Sequence, residues 1–235
     1  MKKTFYSLLL LLALIGFVAQ AQAQSVEGNG KYKTETRQVS SFKALRVSGG
    51  FEVVLTQGAT PSLKLEAEEN ILPFIESTVE NGMLTIKTKD NTIRNAKRLK
   101  AYVTVRDLEA LELAGGIKLT TTNTINGSTL KLDFAGGINV EMALQVKKLD
   151  ADMAGGTKVS LSGRAETVQL DLAGASNLKA LNLKTDYLTI DAAGASHAEV
   201  NVSKELNVEA AGIVSVDYKG SPKINHSGMG KVRPI

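Results

Sequence analysis

The chain has 235 residues, 43% apolar and 22% charged, with 21 Gly, 4 Pro and no Cys or Trp. That balance suits one folded domain or two small ones, excludes a disulfide scaffold, and favours short strands with many bends over a helical bundle. The formal charge of +4 includes Lys2 and Lys3; without them 26 basic residues face 24 acidic ones, mixed along the chain, so nucleic acid is not an expected partner.

The first 23 residues form a unit of their own. Lys2 and Lys3 precede an apolar stretch, Leu8 to Val18, too short to span a bilayer comfortably, and Ala21-Gln22-Ala23 offers a small-x-small cleavage site. This is the pattern of a secretory signal peptide cut after Ala23. No later apolar run approaches the length of a bilayer span, so no transmembrane segment is expected in the mature chain.

Residues 24–41 are polar and predict a flexible lead followed by a strand. "FKALRVSGGFEVVL", from Phe42, has a strand–Gly-Gly–strand form, and "PSLKLEAE" alternates with period two. Pro73 disfavours a central strand and predicts a short helical turn or loop. "STVENGMLTIKTK" predicts a hairpin at Asn81-Gly82. Asp90 to Lys100 is basic and irregular, either a solvated loop or an anion site.

From Leu111 the chain repeats itself. "LKLDFAGGINVEM", "LDADMAGGTKVSL", "VQLDLAGASNLKA", "LTIDAAGASHAEV" and "LNVEAAGIVSVDY" are near-copies. The first bend glycines are Gly115, Gly136, Gly155, Gly174, Gly194 and Gly212, which recur at a nearly constant interval. A fixed period of about 20 residues, with two short β segments per unit and no room for a helix, predicts a parallel β-helix with one coil per repeat. The predicted fold class is therefore an all-β single-domain solenoid, with a less regular N-terminal part.

Stacking equivalent residues gives columns. Four before the bend glycine stand Leu111, Leu132, Ala151, Leu170, Ile190 and Val208. Two before stand Leu113, Phe134, Met153, Leu172, Ala192 and Ala210, and four after stand Leu119, Val140, Val159, Leu178, Ala198 and Val216. All are apolar and are predicted to point inward.

Between the first two columns lies an acidic one, Glu112, Asp133, Asp152, Asp171, Asp191 and Glu209. At the ~4.8 Å spacing of stacked strands each neighbouring pair repels by about 0.9 kcal/mol even in bulk water. Solvent and salt can offset that repulsion, and so can a Ca²⁺ ion held by Asp133, Asp152, Asp171 and Asp191. Three after the bend runs a polar column, Lys118, Asn139, Lys158, Asn177, His197 and Ser215, read as an amide ladder or a contact surface. Carboxyl spacing alone cannot identify a glycosidase pair here, because any acidic ladder meets it. Arg164, a conceivable lyase base, is expected in a "SGRAE" turn. No phosphate loop, dinucleotide motif or nucleophile elbow is present, and no zinc-ligand spacing accompanies His197 or His226.

The tripeptide Gly137-Ile138-Asn139 spells "GIN". Together with "SGGFEVVLTQG", "VENGMLTIK", the repeated AGG/AGA bends and "YKGSPKINHSGMGKV", it resembles the family called putative auto-transporter adhesin, head GIN domain, over roughly Phe42 to Val232. The resemblance implies a right-handed β-helix in an exported protein of a Gram-negative bacterium, in the periplasm or at the cell surface. The expected organisation is signal peptide 1–23, lead 24–41, domain 42–232 with regular coils over about 108–218, and tail 233–235. The resemblance carries no catalytic residues, and the leading expectation is a non-catalytic binding or adhesion module whose candidate ligand column is Lys118, Asn139, Lys158, Asn177 and His197. Its partner would be a cell-surface polysaccharide or an envelope protein. The rival expectations are a calcium-assisted polysaccharide lyase or hydrolase built on the acidic column, and a structural solenoid that oligomerises through an edge coil.

Overall fold

The computed structural model describes residues 26–89 and 93–235; the signal peptide expected at 1–23 lies outside them. The described chain is almost entirely strand, with one short 3₁₀ turn at Leu72–Phe74, where Pro73 stands. No helix among the described residues is long and apolar enough to cross a membrane.

Each regular coil has a first leg that ends at the bend glycine, a second leg that leaves it, and a short third side. The strands Asn139–Gly155, Lys158–Gly174, Asn177–Gly194 and His197–Gly212 each run from one bend to the next. Successive coils pair in parallel, bend glycine on bend glycine, from Gly115↔Gly136 to Gly194↔Gly212. The three apolar columns point inward along their whole length, with every member at 3% exposure or less. Parallel stacking explains this: in-register coils place the same side of every leg against the core. The bend glycines hold φ between 89° and 118°, a region that residues with a Cβ rarely adopt.

The regular array begins earlier than the repeat in sequence suggests. Ala44–Gly49 and Glu52–Gln57 form a coil that stacks in register on Ala110–Gly115 and Lys118–Thr121, with Gly49 paired to Gly115. On its other side lie Met83–Thr88 and Leu99–Val105, also parallel. The coil at 44–57 therefore sits between two layers that both follow it in the chain.

The N-terminal end is closed by antiparallel strands. Ser62–Glu68 pairs with Leu99–Val105 and with Tyr32–Arg37, the strand expected within the polar lead. Ile75–Glu80 and Met83–Thr88 form the predicted hairpin, turning at Asn81 (φ 50°) and Gly82 (φ 75°), both positive as a type I′ turn requires. Ile71, Leu72 and Ile75 are buried beneath this cap.

The C-terminal end differs. The tail forms one further coil, in which Lys223–Gly228 pairs with His197–Gly212 and Lys231–Pro234 pairs with Ser215–Lys219. All of Lys223–Gly228 is exposed, so this coil extends the stack without sealing it.

Candidate functional site

The acidic column stands as one continuous ladder. Glu112, Asp133, Asp152, Asp171, Asp191 and Glu209 are paired in register, exposed or half-buried, on the outer face of the first legs. Its upper end meets Arg46, whose Nε lies 2.6 Å from Glu112 Oε2, and its lower end meets Ser227. Lys131 Nζ sits 3.3 Å from Asp152 Oδ2 and is held above its ordinary value by that carboxylate. Sequence reading missed Arg46 because the coil that carries it is out of order in the chain.

Among the described residues, one group of carboxylates comes together closely enough to hold a cation: Asp150, Asp152 and Asp171 each bring an oxygen within 4.8 Å of the others. Asp150 belongs to the neighbouring outward column, two residues earlier, and the expected four-member set of Asp133, Asp152, Asp171 and Asp191 does not converge in this way. The crowding has a cost at Asp171. Burial pushes its carboxyl above the ordinary 3.8, and Asp152, Asp191 and Asp150 push it further.

A raised carboxyl in the folded state penalises stability at every pH above its shifted value, and the penalty fades as pH falls through that value. Asp171→Asn is therefore expected to stabilise the protein by about 0.5–1 kcal/mol at neutral pH, the size of a single ladder contact. The gain should shrink as pH is lowered into the carboxylate range. Urea unfolding of both proteins across pH checks this, and a destabilised variant at neutral pH would mean that the ladder is held together by something the repulsion argument omits.

The polar column on the second legs is also in register: Lys118↔Asn139↔Lys158↔Asn177↔His197↔Ser215. Lys118, Asn139 and Lys158 are exposed, and Asn177 and His197 half-buried. Asn177 Oδ1 is buried with no hydrogen-bond partner among the described residues. His197 Nε2 lies 3.8 Å from Glu199 and 4.0 Å from Asp217.

Two residues further on runs a second outward column that sequence reading passed over, Thr120, Glu141, Ser160, Lys179, Glu199 and Asp217. The period of two that identifies the first column would have identified this one as well. Members of it line a shallow groove of about 420 Å³ with Thr121, Ser162 and Asn182. The groove lies where the coil of Asn177–Gly194 carries extra residues: register slips between Ala180 and Lys184, and Asn201 Nδ2 donates to the Leu181 carbonyl. The face offers hydroxyls, amides and charges of both signs, at coil spacing, on a rigid scaffold.

The remaining candidates are engaged elsewhere. Arg164 is not in a turn; it lies within Lys158–Gly174 on the third side and pairs with Asp186 at 3.2 Å, because Gly163 lets the strand round that corner without leaving the ladder. In the basic stretch at 90–100, of which 90–92 lie outside the described residues, Arg98 pairs with Glu66 and packs over Tyr32, and Lys100 pairs with Glu52. These two cations serve the N-terminal cap.

Residues 41–222 match the model of the family described as putative auto-transporter adhesin, head GIN domain. No curated protein matches the chain. Among solved structures, a putative adhesin from Bacteroides fragilis aligns with a TM-score of 0.84 at 23% identity, over 90% of this chain and all of its own. A putative adhesin from Parabacteroides merdae gives 0.70 at 18% identity, over 90% and 99%. A protein from Parabacteroides distasonis described as a putative lipid binding protein gives 0.69 at 21%, over 90% and 100%. At these identities the three structures show a shared fold.

Proposed function

The chain belongs to the putative auto-transporter adhesin, head GIN domain family, and on that premise we propose that it is an exported, non-catalytic adhesion module that binds a polysaccharide of the cell surface along the second-leg face. The observation that carries this reading is the pair of adjacent polar columns, in register from coil to coil and open to solvent, beside the groove lined by Thr120, Ser160, Ser162, Lys179 and Asn182. A repeating hydroxyl-rich chain presents hydrogen-bonding groups at intervals, and a ladder of amides, hydroxyls and ammonium groups can meet it at several coils at once. Each single contact is weak, so multivalent engagement supplies the affinity.

The double substitution Asn139→Ala with Lys158→Ala is expected to weaken polysaccharide binding by about tenfold or more while leaving the melting temperature unchanged. Biolayer interferometry against immobilised envelope polysaccharides checks this. Retention of all binding by the double variant would move the contact off this face, and failure of the wild type to bind any polysaccharide would sink the ligand class.

A further inference from the structure

The two ends of the solenoid are unequal in charge as well as in closure. Residues 219–235 contain Lys219, Lys223, Lys231 and Arg233 and no acid, whereas residues 24–218 carry 22 basic and 24 acidic residues. Arg233 is engaged by Asp217 at 2.9 Å, while Lys219, Lys223 and Lys231 make no ion pair among the described residues. The last two coils thus carry three unpaired ammonium groups on an otherwise slightly acidic body.

The same end gathers exposed apolar side chains. Six large apolar or aromatic residues are exposed among those described, and four of them, Ile213 (84%), Met229 (80%), Ile235 (66%) and Ile224, belong to the last two coils. Ile213 and Met229 occupy the bend, where earlier coils carry Gly116, Gly137, Gly156, Ala175 and Ala195. The two bends are stacked: Met229 N donates to the Ala210 carbonyl and Lys231 N to that of Val214. A ridge that is Gly or Ala along its length therefore ends in two projecting apolar side chains.

Lysines on an edge strand guard against strand-to-strand aggregation, which accounts for Lys223 and Lys231. It does not account for Ile213 and Met229, which a guarded edge would leave small. Apolar prongs and unpaired lysines on the same end of the solenoid fit a bilayer surface with anionic headgroups, where the prongs reach the acyl boundary and the lysines meet phosphate. The uncovered strand edges limit the depth, because backbone N–H and C=O groups tolerate the headgroup layer and not hydrocarbon.

We propose that the C-terminal end of the solenoid docks shallowly on an anionic lipid surface through Ile213 and Met229, with Lys219, Lys223 and Lys231 on the same two coils meeting the headgroups. This end contact is separate from the second-leg face, so either can fail without the other. A second copy of the chain suits the end less well, since it would bring two sets of lysines together.

Vesicle co-sedimentation tests it. Every described element lies within residues 26–235, so the chain from Gln24 carries the whole described fold and leaves behind the apolar stretch at Leu8 to Val18, which would itself partition into lipid. The wild type is expected to bind vesicles of phosphatidylcholine with about one-third phosphatidylglycerol and to be released by about 0.5 M NaCl. It should bind pure phosphatidylcholine at least tenfold more weakly. Ile213→Ser with Met229→Ser, and separately Lys223→Glu with Lys231→Glu, should each lower the partition coefficient at least tenfold with an unchanged melting temperature. Equal binding to neutral and anionic vesicles, or unaltered binding by both double variants, overturns the proposal. So does a lipid-free dimer, seen by light scattering, that Ile213→Ser with Met229→Ser dissociates, since another copy would then cover this end.

Discussion

Gly136→Ala is expected to lower the unfolding free energy by about 3–5 kcal/mol, while Gly116→Ala should change it by less than about 0.5 kcal/mol. Two costs add at position 136. Its φ of 113° lies in a region that a side chain rarely adopts, a strain of about 1–3 kcal/mol. A Cβ there would also stand 2.6 Å from the carbonyl oxygen of Gly115 and 3.1 Å from its nitrogen. That neighbour is backbone, so one coil must lift from the next, and the ladder bonds Gly137 N to Gly115 O and Asn139 N to Ile117 O lie directly beside it. At Gly116 a Cβ meets nothing within 4 Å. Urea titrations compared at constant slope measure both differences. If the two variants unfold together, close stacking of the bends is not what requires glycine.

Phe134→Ala should cost about 3–5 kcal/mol, the usual range for removing a fully enclosed aromatic ring. Phe134 stands between Leu113 and Met153 in the inward column, and Leu132 and Ile138 are buried close to it in the chain. The cavity cannot be filled by collapse without breaking the in-register pairing of several coils, so little of the loss is recovered. The adjacent outward substitution Asp133→Ala is the control and should stay within about 0.5 kcal/mol. Calorimetry of the two variants checks the pair. A small loss at position 134 would mean that the coils repack locally and that the core is softer than its burial suggests.

The side-to-side organisation was legible from sequence because a parallel stack repeats the same inside–outside choice on every coil. Leu111 to Val208 and Glu112 to Glu209 could be assigned to opposite faces by counting from the bend, and the pairing bears this out. Sequence order could not show that the coil at 44–57 is inserted between Met83–Val105 and Ala110–Thr121. Alternation tells which way a side chain faces, but both edges of such a strand pair offer the same backbone groups. The site was legible to the same degree. The Lys118 and Asn139 column followed from the period, whereas the Asp150, Asp152 and Asp171 convergence needed two columns to be compared across coils. Arg46 at the head of the acidic ladder depends on Glu112, a neighbour in space that is several coils away in the chain. The intervals between bend glycines show that coil lengths differ, but not that the extra residues are taken up between Ala180 and Lys184.

The inserted coil also decides how the molecule must assemble in time. Its first leg joins Ala44 with Met83 on one side and with the still more distant Ala110 on the other. Later coils join neighbours a single coil apart, as Asn139 joins Lys158. Closing longer loops adds only modestly to the free-energy cost, but searches for distant partners slow folding. The N-terminal block is thus the slow step, and the regular coils are quick additions to an edge that it presents. Passage across a membrane N-terminus first meets this asymmetry in a favourable order. Everything the slow block needs has emerged by Thr121, and its search can run while the remaining coils follow.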